Sequence, residues 1–435
     1  MSVRCWLWIG CWLMLSAGAS ARSAKKPKAA PAPAPVLADD FIPKLFEAHR
    51  DKLHPVVDDP QRYRAQILIT EVERVRGRRA PKVVRHGYRV DAEYFYPASA
   101  IKTLAAVATL KALRGERALR RKKITVDTPL VIHRLFVDQK AEESEDESHL
   151  DGGRITLGHE IRKMSIVSDN QAFDRLYGFV GRDGLNALAQ ASGLEKTRVY
   201  HRLSRRRTPD ENRWAEPMDF YPSGDLTGPP VVQRAIRVSP DDLAPLPAAL
   251  PGVEVGRAHV EGDAQIPGPM SFREKNRMGL VDLQNMLIKI MRPEIPLPGA
   301  GFRLHRKDRA LLRQAMRERP GESTDPLLPE ETYDPLRFKP ILGGLTRLRP
   351  IEDWRVWNKA GKAYGFRIEN AYVEHPTLKG RKAIFFTVAL YVNENGVVND
   401  NLYEYDAVAD PFIHDLAEAA VLALWGPKVK ARSHR

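Results

Sequence analysis

Between residues 64 and 72 the side chains fall into two alternating sets, Ala65, Ile67 and Ile69 against Gln66, Leu68 and Thr70. A period of two is that of a β-strand, and a second such run, Val83 to Val90, follows across a basic turn, so the two are expected to pair. Late in the chain Trp354, Val356 and Asn358 share the same period, Val373 follows, and Ala383 to Val392 is a nearly unbroken apolar run; these read as further strands. In between, the period changes. The stretch after Pro97 is rich in Ala and Leu with no breaker before the basic patch near Arg114, which predicts a helix. Glu160 to Val167 and then Ala172, Phe173, Leu176 and Tyr177 predict two more, separated by the polar triplet Ser168-Asp169-Asn170. Asp410-Pro411 opens a closing helix through Leu416, Ala419, Ala420 and Leu424, with Asp as the expected N-cap and Pro in the first turn. Strands at both ends and helices in the middle define an α+β chain built on an antiparallel sheet.

The first residues do not fit that scheme. Arg4, an apolar stretch from Cys5 to Ala17 and Ala19-Ser20-Ala21 form a signal peptide, residues 1–21, with an A-x-A cleavage site. The apolar stretch is too short to span a bilayer, so no membrane span is expected after cleavage. The chain is expected to be periplasmic or secreted. Cys5 and Cys11 are the only cysteines, so the exported part has neither a disulfide framework nor a thiol nucleophile. Residues 22–40, with Ala30-Pro31-Ala32-Pro33-Ala34-Pro35, are too rich in Pro, Ala and Lys to bury a core and read as a linker. The remainder, 41–435, is taken as one domain, and a monomer is expected.

The formal net charge is +14. Such a surface suits anionic wall polymers or membrane surfaces. Nucleic acid is not expected as a partner, because the basic residues are scattered and no basic motif is interleaved with aromatics. Arg202, Arg205, Arg206 and Arg207 read as a solvated loop, as do Glu142, Glu143, Glu145, Asp146 and Glu147, which lack calcium-loop spacing. His86, His133, His149, His159 and His201 show no zinc-type spacing, so neither metal nor cofactor is expected.

Candidate chemistry begins at Ser99-Ala100-Ile101-Lys102. On a helix residues three apart share a face, so the Ser99 hydroxyl and the Lys102 amine can meet. A serine becomes nucleophilic when a base takes its proton, and an apolar setting disfavours the charged form of a lysine. Alone this pair is weak evidence. Further along stand Ser168-Asp169-Asn170, in the helix break, and Lys359-Ala360-Gly361, at the end of the Trp354–Asn358 strand.

S-x-x-K, S-D-N and K-T-G in this order are the motif set of class A β-lactamases and penicillin-binding proteins, and the chain resembles that superfamily, class A most closely. Gly193-Leu194 with Thr197-Arg198-Val199 is similar to its G-L-x-x-T-R segment, and Tyr364-Gly365-Phe366-Arg367 to its Y-G-x-R. Glu216-Pro217, Gly224-Asp225 and Pro229 are similar to its E-P…G-D…P loop. The resemblance implies a five-stranded antiparallel sheet from both chain ends beside a helical subdomain. Arg277 to Met291 and Leu304 to Arg317 would be the two helices before the K-T-G strand, and an extra segment, 231–276, rich in Pro and Gly, would be an insertion without an evident role.

The chemistry implied is acyl transfer to Ser99 from a small β-lactam or a cell-wall peptide. Lys102 would be the proton acceptor or an electrostatic partner, and Ser168 would relay a proton to the leaving nitrogen. Asn170 would hold Lys102 and the substrate amide, and Lys359 the substrate carboxylate. The backbone N–H groups of Ser99 and Lys362, beside Gly361, would form the oxyanion hole, and Arg367 would be a second carboxylate clamp. Two departures matter. Ala360 removes a hydroxyl from the third motif. The class A deacylating glutamate falls, without gaps, at Leu203; an insertion brings Arg213-Trp214-Ala215-Glu216-Pro217 into register and makes Glu216 the candidate base, yet the asparagine expected four residues later is Phe220. A class A-like β-lactamase is the leading reading. A penicillin-binding D,D-peptidase or esterase that releases its acyl group slowly is the alternative, and a non-catalytic module keeping the fold is a third.

Overall fold

In the computed structural model, residues 34–429 are described, apart from 38, 77–79, 151, 330 and 379. The expected signal peptide and most of the expected linker lie outside the described residues. Val36–Leu37 (β1) already joins the sheet, pairing in parallel with Lys82–Tyr88 (β3), so the sheet begins inside the stretch read as linker. Gln66–Glu73 (β2), β3, Arg355–Asn358 (β4), Gly361–Ala363 (β5), Phe366–Glu374 (β6) and Lys382–Tyr391 (β7) complete a seven-stranded sheet of order β1-β3-β2-β7-β6-β4, with β5 also on β6. Apart from β1 its pairings are antiparallel. The five strands expected from both chain ends are there, and the two additions are only two and three residues long.

The sheet is covered on both faces, which explains why its central strands read as apolar runs. On one face Ile67, Ile69, Phe386 and Val388 pack with Phe41–Ala48 (α1) and the closing helix. On the other, Leu68, Val72, Tyr372 and Phe385 meet the helical subdomain. That subdomain holds Lys102–Gly115 (α2), Leu157–Ile166 (α3), Asn170–Val180 (α4), Arg182–Ala191 (α5), Leu280–Met291 (α6) and Arg306–Arg317 (α7). Helix α2 runs through its middle, buried on every side along most of its length, which its Ala-rich sequence permits. The Thr156 side chain caps α3 by accepting the His159 N–H, and Asp169 caps α4 by accepting the Ala172 N–H at 2.7 Å.

Asp410 does not cap the closing helix as expected. A π-turn at Tyr405–Ala409 runs directly into Asp410–Trp425 (α8), and Asp410 instead accepts a hydrogen bond from Arg367. The extra segment is ordered into short strands. Ala258–Glu261 pairs antiparallel with Ala264–Pro267 and, in parallel, with Val397–Val398 of the C-terminal part.

Candidate active site

Ser99 lies on a 3-10 turn, Ala98–Ile101, that leads directly into α2. The preceding Ala98 has φ 45°, a left-handed conformation costly for a residue with a Cβ; Ser168 (φ 60°) and Tyr364 (φ 54°) share it. Strain of this kind persists only where packing enforces it, and all three residues border one site. One turn after Ser99, Lys102 is fully buried. Burial pushes its amine down to about 7, against the pull of Asp169 and Asp174. Its Nζ donates to Asn170 Oδ1 at 2.6 Å and to the backbone carbonyls of Ser168 and Asp169.

The Ser168 hydroxyl stands between two amines. Lys359 Nζ donates to Ser168 Oγ at 2.7 Å, while Lys102 Nζ lies 3.5 Å from the same atom. Lys359 is buried too and is held well below an ordinary lysine, by desolvation first and by the nearby Lys102 charge second. Behind it, Asn358 accepts from Lys339 at 2.9 Å and donates to Glu369 at 2.9 Å, a buried chain that fixes the end of β4. Gly361 is required by contact: a Cβ there would sit 2.5 Å from the Pro97 carbonyl oxygen. Its absence lets β5 close on the serine turn, beside which Lys362 lines the cavity.

That cavity, about 1650 Å³ and open to solvent, is larger than most small-molecule sites. Tyr96, Ser99, Asn170, Lys362 and Tyr364 border it, and Leu203 lines it as well. The extra segment supplies another wall, with Leu243, Val260, Met270 and Lys275 facing the cavity. Phe272 anchors this wall by packing edge-on against Tyr96 and Tyr364, at centroid distances of 5.7 and 5.5 Å. The insertion thus has a place that its sequence did not suggest.

Three readings need correction. The Glu216 carboxylate is not directed at Ser99 or Lys102. It accepts from Arg202 at 2.8 Å and from Gln139 at 3.1 Å, and it lines a smaller cavity that adjoins the Ser99 cavity at Arg202, Ser204, Arg205 and Arg207. Arg367 is 1 % exposed, donates to Asp410 at 2.6 Å and to the Arg337 carbonyl, and does not border the Ser99 cavity. It acts there only through its charge, which helps to lower Lys359. The two charge runs are not simply solvated: Arg202 and Asp146 are buried, Asp146 being held by Lys163 and Arg175. Sequence reasoning also missed Asp174. It lies four residues after Asn170 on the same face of α4, and its carboxylate, raised to about 6 by burial, accepts the backbone N–H of Leu203 at 2.7 Å and of Ser204 at 3.1 Å.

The structure thus brings together a serine one helix turn before a buried amine, a hydroxyl between two lysines and a strand edge that glycine permits, a set of groups with the chemistry to activate a serine, although the Lys102 amine is hydrogen-bonded to Ser168, Asp169 and Asn170 rather than to Ser99. Residues 87–250, well under half of the chain, match the model of the beta-lactamase enzyme family, in agreement with the superfamily resemblance read from the motifs. No curated protein matches. Among solved structures, a β-lactamase from Streptosporangium roseum is similar at 16% identity and TM-score 0.45, covering 88% of this chain and 99% of that one. A class A β-lactamase from Mycobacterium abscessus is similar at 15% and 0.43, covering 86% and 98%. A point mutant of PBP-A, in its acyl-enzyme complex with penicillin G, is similar at 15% and 0.43, covering 88% and 97%. At such identities and TM-scores these likenesses add nothing to the reading of the site.

Proposed function

We propose that the protein is an exported serine acyl-enzyme former of the penicillin-binding kind, which opens a β-lactam or cleaves a cell-wall peptide and releases the acyl group slowly. The observation that carries this reading is the Ser168 hydroxyl placed between Lys102 and Lys359 next to the serine turn. With Lys102 neutral, its amine accepts the Ser99 proton as Oγ attacks the carbonyl carbon. Oxyanion charge falls on the N–H groups of Ser99 and Lys362. The proton then passes through Ser168 to the leaving nitrogen as the C–N bond breaks. Asn170, holding Lys102 and bordering the cavity, orients the substrate amide, and Lys359 attracts a substrate carboxylate without the hydroxyl that Ala360 lacks. Slow release is favoured over β-lactamase turnover because Leu203 lines the cavity where the resemblance calls for a carboxylate, and Glu216 is committed to Arg202.

Intact-mass spectrometry after mixing with penicillin tests the reading. A persistent adduct of one whole penicillin, lost in Ser99→Ala, supports it. A transient adduct with bulk turnover would return the protein to the β-lactamases, and no adduct at all would leave a binding module. Export, and action as a monomer in the periplasm or outside the cell, belong to the same proposal. Among the described residues no helix is long and apolar enough to cross a membrane.

A further inference from the structure

The far end of helix α3, away from the Ser99 cavity, gathers His149, His159 and Asp325 from three separate stretches of chain. Their nearest donor atoms all lie within 4.8 Å of one another. His149 Nε2 is 3.4 Å from one Asp325 oxygen and His159 Nδ1 is 3.6 Å from the other, too long for charge-assisted hydrogen bonds. The two imidazoles stack, with ring centroids 4.3 Å apart.

The protons on these rings follow from their other partners. Ser148 Oγ has one hydrogen and gives it to Asp146 Oδ1 at 2.6 Å, so towards His159 Nε2, at 3.1 Å, it acts as acceptor. His159 therefore carries its proton on Nε2 and turns the bare lone pair of Nδ1 towards Asp325. That Nδ1 is buried and has no hydrogen-bond partner, in a side chain only 1% exposed. His149 Nδ1 faces the Arg154 carbonyl at 2.5 Å; a carbonyl only accepts, so the proton is on Nδ1 and Nε2 is the lone pair in the neutral ring. Two nitrogen lone pairs thus face a carboxylate whose hydrogen bond comes from the Leu150 N–H and not from either ring, an arrangement that a cation at its centre relieves.

We propose that His149 Nε2, His159 Nδ1 and Asp325 bind a divalent ion of the zinc kind. Bonds of roughly 2.0–2.1 Å in a tetrahedron place donor atoms about 3.4 Å apart; each histidine stands near that distance from its own Asp325 oxygen, and one donor atom from each residue lies within 4.8 Å of the others, so a small closing movement completes the set. The outer partners have the form expected around metal-bound histidines: a backbone carbonyl on one ring, a hydroxyl backed by a carboxylate on the other, and the Leu150 N–H on Asp325 Oδ1 at 3.1 Å. The ion would act as a staple rather than a catalyst. His159 is nine residues before Ser168, roughly 13 Å along a helix, and the site ties α3 to the loops carrying His149 and Asp325 in a chain with no cysteine after residue 11. Chain spacing gave no sign of it, because Asp325 is remote in sequence.

The test is zinc titration of the metal-stripped full-length protein, followed by metal analysis after desalting, beside His149→Ala and Asp325→Asn. One zinc per chain, a visible cobalt(II) spectrum of tetrahedral intensity displaced by zinc, and at least a tenfold loss of affinity in both variants are expected. Asp325→Asn keeps an acceptor for Leu150 and is the variant to rely on if His149→Ala fails to fold. Zinc bound equally well by Asp325→Asn, or no stoichiometric zinc on the folded wild-type protein, would overturn the proposal.

Discussion

Asp174 holds Leu203 in place: its carboxylate accepts the Leu203 backbone N–H at 2.7 Å, so a side chain one turn beyond Asn170 fixes the loop that closes one side of the Ser99 cavity. What that loop presents to an acyl group is therefore an aliphatic side chain at a defined position. Leu203→Glu is expected to shorten the lifetime of the penicillin adduct by at least tenfold, since it supplies a base where water must be activated. Following adduct decay by intact mass checks this, and an unchanged lifetime would mean that the loop lies too far from the ester.

The proposed role of Lys102 as the base carries a pH dependence. Its base form is the neutral amine, so the acylation rate should climb as pH rises through about 7, and Lys102→Arg should abolish that rise along with most of the rate. The same shift affects stability. The unfolded chain keeps this proton up to about 10.5 and the folded one only up to about 7. The group's stabilising share is therefore full above 10.5 and is lost as pH falls to 7. Stopped-flow acylation across pH 5.5–9 is the measurement, and a flat profile would remove Lys102 as the base.

Glu216 is a structural anion. Glu216→Ala leaves Arg202 buried without its carboxylate and is expected to cost about 3–5 kcal/mol in urea denaturation. Any folded fraction should keep the wild-type adduct lifetime. A longer-lived adduct with little loss of stability would restore Glu216 as the deacylating base.

Gly361→Ala tests the close approach of β5 to the serine turn. A methyl placed 2.5 Å from the Pro97 oxygen must push the strand away, carrying the Lys362 N–H with it. Acylation should fall by roughly a hundredfold, as when an oxyanion donor is lost. Thermal unfolding of the variant checks that the fold persists; a normal rate in that background would show that the strand edge does not shape the oxyanion hole.

The grouping of the candidate residues was legible where it depends on local spacing. Ser99 and Lys102 share a helix turn, Ser168 and Asn170 a helix start, and Gly361 follows closely on Lys359, so chain neighbours remain spatial neighbours. The sheet was legible for the same reason, through its period of two and its all-apolar central strands. Spacing fails where a partner is chosen across loops. Arg202 takes the carboxylate of Glu216, and Asp410 takes Arg367 instead of capping its helix. Asp174 could have been found, since the i,i+4 relation to Asn170 places it on the site face.

The wall contributed by the extra segment separates two kinds of change. Phe272 docks it onto Tyr96 and Tyr364, and its Ala258–Glu261 strand leans on Val397–Val398, whereas Ser99, Lys102, Ser168 and Lys359 all sit on the main sheet and the helical subdomain. Loops between these few anchor points can lengthen, shorten or exchange side chains while the elements that hold those four residues stay in place. In the proposed reaction, substrate preference and bond-breaking chemistry are thereby assigned to different stretches of the polypeptide, so that one can change while the other stays fixed.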